Sequence, residues 1–279
     1  MSCVGILHQP KIPEAEPLAA EISQWVAGQG LESWASSTWD EGNVKSNMAR
    51  SSVLVVLGGD GSTLHAARLA LPHDVPIFGI NLGKVGFLSE AQPDNWRERL
   101  GRVLQGDFWL EQRLMLHAAL IRDGETIGAF SALNDVVVGR GTQARVVRMD
   151  LRVDGDLVTR YTADALIVAT PTGSTAYSMA AGGPLLPPQL QNFVVVPVAA
   201  HLTLARALVL HEEAVISVLM HMDHEAMLTA DGQDAVPIFD KDEVIVKKHQ
   251  CYGCFARVEN PGYFYRRLMR RLGYSRSKS

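Results

Sequence analysis

The chain has 279 residues, of which 47% are hydrophobic and 20% charged, a composition that excludes a collagenous, low-complexity or disordered protein and suits two domains of ordinary size. Its net charge of −4 argues against a broadly basic nucleic-acid-binding surface and favours a small-molecule partner, because neutralising phosphates takes an excess of Lys and Arg. Its three cysteines, Cys3, Cys251 and Cys254, cannot build a disulfide framework, and the odd count points to a reducing compartment.

The start of the chain, with Pro10, Pro13, Glu14, Glu16 and Pro17, lacks a charged segment followed by an apolar stretch. No apolar run reaches the roughly 18 residues of a membrane helix. A cytoplasmic protein without membrane contact is expected. Short apolar runs then alternate with helical patterns. Residues 4–7 read as a strand, 14–29 as a helix, 52–57 as a strand buried on both faces, 63–70 as a helix, 76–80 as a strand and 96–105 as a helix. Such alternation implies a parallel sheet with helices on both faces.

Beyond about residue 108 the texture changes. Strand patterns between 114 and 156 are separated by Asp123-Gly124 and Asp154-Gly155, which is hairpin chemistry. Further strands are predicted at 166–169, 193–198, 214–219 and 244–248. Residues 182–188 read as a loop. The lone Cys251-x-x-Cys254 lies in a strand-like run without a second ligand pair, so these cysteines read as inert. Residues 263–272 set four arginines among apolar and aromatic positions at helical spacing, which predicts an amphipathic helix packed on the protein.

The sharpest feature is Gly58-Gly59-Asp60-Gly61-Ser62-Thr63, directly after the 53–57 strand and before a helix. Glycines there let a phosphate approach the backbone amides, and a helix start adds its positive dipole end. Two common phosphate motifs fail. A dinucleotide fingerprint from Gly59 meets Leu64 where its third glycine belongs, and residues 79–85 have too few residues between glycines for a Walker loop and end in Val85. Asp60 in the middle of such a loop is unfavourable beside phosphate unless it takes part in chemistry, as a proton acceptor or through a metal. A turn or helix cap is the alternative. A second tract, residues 170–178, is rich in hydroxyls and carries Gly173 and Tyr177, which suits a sugar, phosphate and base together. Its alternative is a Ser/Thr-rich turn.

Taken together these residues resemble the NAD kinase family. The matching segments are GGDGSTLHAARLA at 58–70, INLGKVGFLSE at 80–90, LNDVVVGRG at 133–141, ADALIVATPTGSTAYSMAAGGPLL at 163–186 and DGQ at 231–233. The GGDG loop is shared with lipid kinases and bacterial phosphofructokinases; the TPTGSTAYS tract is much more specific. The resemblance implies ATP-dependent phosphorylation of the 2′-hydroxyl of the adenosine ribose of NAD, with Mg²⁺ arriving on the nucleotide and no dedicated metal site. It implies that Asp60 is the proton acceptor and touches NAD, and that Gly58, Gly59, Gly61 and Ser62 form the phosphate loop, with Gly61 also at the dinucleotide. His65 stands where relatives often carry a basic residue and is either a dinucleotide contact or structural.

Asn134 and Asp135 match the pair that contacts the adenine and ribose parts of NAD. Arg145 matches a basic residue near the dinucleotide phosphates, with an exposed surface role as the alternative. Asp164 matches a carboxylate that reaches the nicotinamide end. Two residues earlier many relatives carry arginine where this chain has Thr162, which puts a phosphate contact there in doubt. Thr175, Ala176, Tyr177, Ser178, Met179 and Ala180 match the dinucleotide-binding turn, with Tyr177 near the adenine. Gln233 matches a late substrate contact or sits in a simple β-turn.

The implied fold is an α/β N-terminal Rossmann-like domain, residues 1–110, plus a mostly β, β-sandwich-like C-terminal domain, 111–258. A C-terminal helix at 259–279 packs back on the first domain, and the site is expected where the two domains meet. A homodimer or homotetramer is implied. The competing readings are a diacylglycerol-type lipid kinase with the same loop, a phosphofructokinase-type sugar-phosphate kinase, and a module that senses NAD(P) without turnover.

Overall fold

The computed structural model describes residues 3–83, 86–141, 145–200, 205–222 and 224–273. Lys84 and Val85, which complete the failed Walker pattern, lie outside the described residues. The chain forms two compact units, Met1–Gln112 with Cys251–Ser279, and Arg113–Gln250.

The first unit opens with β1 (Cys3–His8), α1 (Ala15–Gly28), β2 (Glu32–Ser37), α2 (Glu41–Met48), β3 (Ser51–Gly58), α3 (Asp60–Ala70), β4 (Ile77–Asn81), α4 (Trp96–Leu104) and β5 (Trp109–Arg113). Ala15, Ala19, Ile22 and Val26 line one stripe of α1 at helical spacing and are buried. They share a core with Val4, Ile6, Val55, Phe78 and Ile80 of the sheet and with Trp96 and Leu100 of α4. The central strand β3 is buried from Val53 to Gly58, as expected of a strand covered on both faces. The helix predicted from 63 begins at Asp60 instead. Gly59 supplies the extended N-cap, so three residues that read as loop form the first helical turn.

Among the described residues the strands of the second unit all pair antiparallel. Its strands are β6 (Leu116–Arg122), β7 (Glu125–Ala132), β8 (Asp135–Arg140), β9 (Val147–Val153), β10 (Asp156–Ala163) and β11 (Ala165–Ala169), then α5 (Tyr177–Ala180), then β12 (Asn192–Val198), β13 (Leu208–His211), β14 (Ile216–Met220), β15 (Ala226–Ala230), β16 (Gln233–Ile238) and β17 (Glu243–Lys248). They make two six-stranded sheets, ordered β10-β9-β14-β17-β6-β7 and β13-β12-β11-β8-β15-β16. The alternating burial of β6, β14 and β15 marks strands with one face on the core. Asp123 and Gly124, Asp154 and Gly155, and Asp231 and Gly232 all have positive φ, the geometry of two-residue hairpin turns. The strand predicted at 214–219 starts two residues later, at Ile216.

The chain then returns to the first unit through β18 (Gly253–Arg257) and α6 (Tyr263–Arg271). The sheet order is β2-β1-β3-β4-β18-β5, with the pairs from β2 through β18 parallel. A boundary at 258 would assign β18 to the β-rich domain, whereas its ladder partner is β4, at Phe255 and Ile77. Cys254, in this strand, is buried and its thiol is pushed up by burial; none of the three cysteines is in a disulfide.

Candidate active site

In the first sheet β1 lies between β2 and β3, so successive strands depart from β1 in opposite directions. The crevice outside the carboxyl ends of the strands at such a reversal is where open α/β sheets bind ligands. The carboxyl end of β3 delivers Gly58 and Gly59 to that point, and the end of β1 delivers Gln9, whose Nε2 donates to Ser62 Oγ at 3.2 Å. The first amides of α3, those of Asp60, Gly61 and Ser62, have no partner inside a helix. A Cβ placed on Gly59 or Gly61 would meet no atom within 4 Å. These glycines therefore leave open space over a helix start, the form of a phosphate cradle. Gly58 has a different role: a Cβ there would stand 2.6 Å from Ser62 Oγ.

Asp60 is held by backbone from another loop. Its Oδ2 accepts the Phe87 amide at 3.1 Å and its Oδ1 the Leu88 amide at 3.2 Å. Gly86 must be glycine because any Cβ there would run into the Asp60 carboxylate. That loop is pinned in turn by Arg257, which is fully buried. Its Nη1 donates to the carbonyls of Leu88 at 3.0 Å and Ser89 at 3.1 Å and pairs with Glu90, while its Nε donates to Glu111 at 2.8 Å. Burial opposes this charge, but the oxygens of Tyr263, Glu111 and Glu90 around it hold the guanidinium above its ordinary value. Arg267 of α6 adds bonds to Ser89 O and Glu259.

His65 is buried in α3 and does not stand open to a ligand. Its ring stacks 4.4 Å from that of Trp39, its Nδ1 lies 3.3 Å from Arg68 and its Nε2 3.8 Å from Glu41.

In the second unit a cavity of about 360 Å³ gathers Asn134, Asp135, Ala176 and Tyr177 with Thr229, Val137, Asp231 and Gly232. Asp231, in a left-handed turn at φ 53°, organises it. Its carboxylate accepts the amides of Leu133 at 2.9 Å, Asn134 at 2.7 Å and Asp135 at 3.3 Å. Asp135 is buried, and burial first, then the charge of Asp231, push its carboxyl up to about 7. Tyr177 is exposed, 45% as a residue, which suits its ring to stacking.

The 170–178 tract is built differently from a row of free donors. Thr170 Oγ1 donates to Leu133 O at 2.6 Å, Ser174 Oγ to Pro171 O at 2.6 Å and Thr175 Oγ1 to Thr172 O at 3.2 Å. These hydroxyls fold the turn, and Gly173 lets it lie against the Asn134 carbonyl, where a Cβ would collide. Ser178 is buried, and its hydroxyl has no partner among the described residues. Met179 is half-buried and Ala180 exposed. Arg145 is exposed between β8 and β9, Asp164 pairs with Arg140 at 3.5 Å, and Gln233 opens β16. None of these three lines the cavity.

Sequence reading passed over Asp231 as an anchor, Gly86, Gln9 and Arg257. The Asp231-Gly232 pair was a visible turn signal; the others act through partners remote in the chain. Among the described residues no group of three or more His, Cys, Asp or Glu is placed to hold a metal ion.

An open amide cradle at the switch point of a parallel sheet, with a backbone-anchored carboxylate inside it, defines a nucleotide-handling protein of the phosphotransferase class. Residues 29–108 match the ATP-NAD kinase N-terminal domain and residues 133–258 the ATP-NAD kinase C-terminal domain. An NAD kinase of Chloroflexus aggregans is 35% identical over 269 residues, covering 96% of this chain and 98% of that protein. The crystal structure of an NAD kinase from Archaeoglobus fulgidus in complex with ATP superposes with a TM-score of 0.78 at 26% identity, covering 99% of this chain and 100% of that one. The yeast NADH kinase complexed with NADH shares the fold at a TM-score of 0.87 and 22% identity, covering 100% and 89%. The chain belongs to the ATP-NAD kinase family.

Proposed function

We propose that the protein is an NAD kinase, transferring the γ-phosphoryl group of ATP to the 2′-hydroxyl of the adenosine ribose of NAD to give NADP. The observation that carries this reading is Asp60, set in the glycine cradle with each carboxylate oxygen oriented by a backbone amide. Asp60 accepts the hydroxyl proton as the oxygen attacks phosphorus. The amides of the α3 start and the helix dipole receive the charge on the transferred group.

Asn134, Asp135 and Tyr177 bind the nucleoside part of NAD, the carboxyl and amide groups bonding ribose and base edges and the ring stacking. Ala176 leaves room beside them in the cavity. Thr175 and Ser178 shape this turn from within, with Met179 and Ala180 on its outer side. Arg145, Asp164 and Gln233 complete the proposed dinucleotide contacts. His65 acts through Trp39, Glu41 and Arg68. A divalent cation such as Mg²⁺ would come with ATP and neutralise part of the phosphate charge, since the described residues offer it no cage.

The proposed assembly is a homodimer or homotetramer. Leu157 and Val158 on edge strand β10 and Val209 on edge strand β13 are exposed apolar side chains suited to such contacts. The proposed compartment is the cytoplasm, in keeping with three cysteines that form no disulfide. No helix among the described residues is long and apolar enough to cross a membrane.

NADP formation from NAD and ATP, followed by coupled dehydrogenase absorbance, tests the reading. Asp60→Asn is expected to lower kcat by about 10²–10⁴-fold while leaving NAD binding intact. Near-normal turnover in that variant removes Asp60 from the role, and phosphorylation of diacylglycerol without NAD would reverse the substrate assignment.

A further inference from the structure

Arg271, the last residue of α6, places its Nη1 3.2 Å from Asp60 Oδ2. Asp60 does not need this contact for its orientation, because the Phe87 and Leu88 amides already fix both of its oxygens. The helix that carries the arginine is anchored by its apolar side, where Phe264 and Leu268 pack on Phe87. The Arg271 guanidinium itself lies over the Phe87 ring, 5.0 Å from its centre, with the side chain 47% exposed. Two other arginines of α6 are committed elsewhere: Arg267 to Glu90 and Glu259, and Arg266 to Glu259. A fork of five N–H donors that uses one edge on Asp60 keeps others for a second acceptor. The residue next to the group that takes the proton is also next to the oxygen being phosphorylated. A triphosphate arriving beside a carboxylate needs a compensating cation at that point.

We propose that Arg271 is a catalytic arginine of the phosphoryl transfer, its guanidinium engaging the oxygens of the transferred group in the complex with ATP and NAD. This rests on the NAD kinase reading. In the step, the ribose 2′-oxygen forms its bond to the γ-phosphorus and its proton passes to Asp60. The bond from that phosphorus to the bridging oxygen breaks, and the electron pair leaves with ADP. Arg271 forms no covalent bond and stabilises charge on the oxygens of the group in flight. Before substrate binds, its pairing with Asp60 keeps the guanidinium at the spot where it is needed.

The test measures kcat, KM for NAD and the urea unfolding midpoint of the full chain and of Arg271→Ala, Arg271→Lys and, as a neighbouring control, Arg270→Ala. Arg271→Ala is expected to lose about 10²-fold or more in kcat with KM for NAD changed less than about threefold. Its unfolding midpoint should match that of the wild type. Arg271→Lys should recover part of the loss, and millimolar guanidinium chloride should restore turnover to Arg271→Ala while leaving the wild type unaffected. Arg270→Ala should turn over normally. Normal or raised kcat in Arg271→Ala overturns the proposal, as does a loss that follows the unfolding midpoint and resists guanidinium rescue. A wild-type chain that makes no NADP overturns the parent reading itself, an outcome distinct from a wild type and an Arg271→Ala that are equally active.

Discussion

Asp231 donates its backbone N–H to the carbonyl of Asp135 at 2.9 Å and takes the Asp135 N–H on its own carboxylate at 3.3 Å. Two acidic residues nearly a hundred positions apart are thus locked side by side at the end of the β8 and β15 ladder, with the Asp231 carboxylate accepting the amides of Leu133, Asn134 and Asp135.

The consequence is a pH-dependent stability. Burial and the Asp231 charge hold the Asp135 carboxyl at about 7, up from an ordinary 3.8. A carboxyl whose value is higher folded than unfolded binds its proton more tightly in the native state. That contribution to stability is complete below the ordinary value and is lost as pH rises through about 7. Asp135→Asn, which mimics the protonated form, should therefore be more stable than wild type. The gap should close toward acid, widen up to neutrality and level off at a few kcal/mol, on the order of 1.4 kcal/mol per pH unit. Urea unfolding at several pH values measures it; parallel curves would mean that Asp135 is solvated.

Gly61 permits the opposite test, one that separates fold from function. It occupies the first turn of α3 without positive φ, and its missing Cβ faces open space. Gly61→Ala should leave the melting temperature unchanged or raise it, by up to about 1 kcal/mol of stability. Turnover should collapse as the methyl fills the cradle. Wild-type kcat/KM for ATP in this variant would show that no phosphate comes close to that backbone.

Arg257 links stability to the setting of Asp60. Arg257→Met leaves Glu90 and Glu111 as buried carboxylates without their shared cation, a change that costs about 3–5 kcal/mol. It also frees the carbonyl of Leu88 and leaves that of Ser89 to Arg267 alone, so the segment whose amides orient Asp60 loses part of its support. Denaturant midpoints and kcat should fall together. A variant with wild-type stability would show that this ion-pair cluster is replaceable.

What was legible in the sequence was what acts locally. The apolar run of β3 announces a strand covered on both faces, and the Asp-Gly pairs announce hairpins because the turn needs positive φ at both positions. β2 and α2 escaped notice because each buries so little: Trp34 and Ser36 in the strand, Val44 and Met48 in the helix, whose start depends on the Asp40 side chain accepting the Asn43 amide. The start of α3 was misplaced because glycine reads as loop even when it caps a helix. The motifs brought out Asn134, Asp135 and Tyr177, which line one cavity, but the hydroxyls of Thr170, Ser174 and Thr175 bond the turn they belong to. The reach of Arg271 to Asp60 spans 211 positions. No spacing rule carries such information, since the contact exists only once β18 and α6 have joined the first sheet.

That late-joining strand sets an order of assembly. The whole of Arg113–Gln250 is translated between β5 and β18, yet β18 lies between β4 and β5 in the first sheet. On the ribosome the β-rich unit has all of its strands before the α/β unit can close, the reverse of the usual order in which the N-terminal domain finishes first. Until Phe255, Arg257 and α6 emerge, β4 has an unfilled edge and Glu90 and Glu111 lack their cation. A nascent chain arrested before residue 251 therefore carries the glycine loop and the amides of Phe87 and Leu88 without Arg257 and α6, which pin the segment on which Asp60 rests.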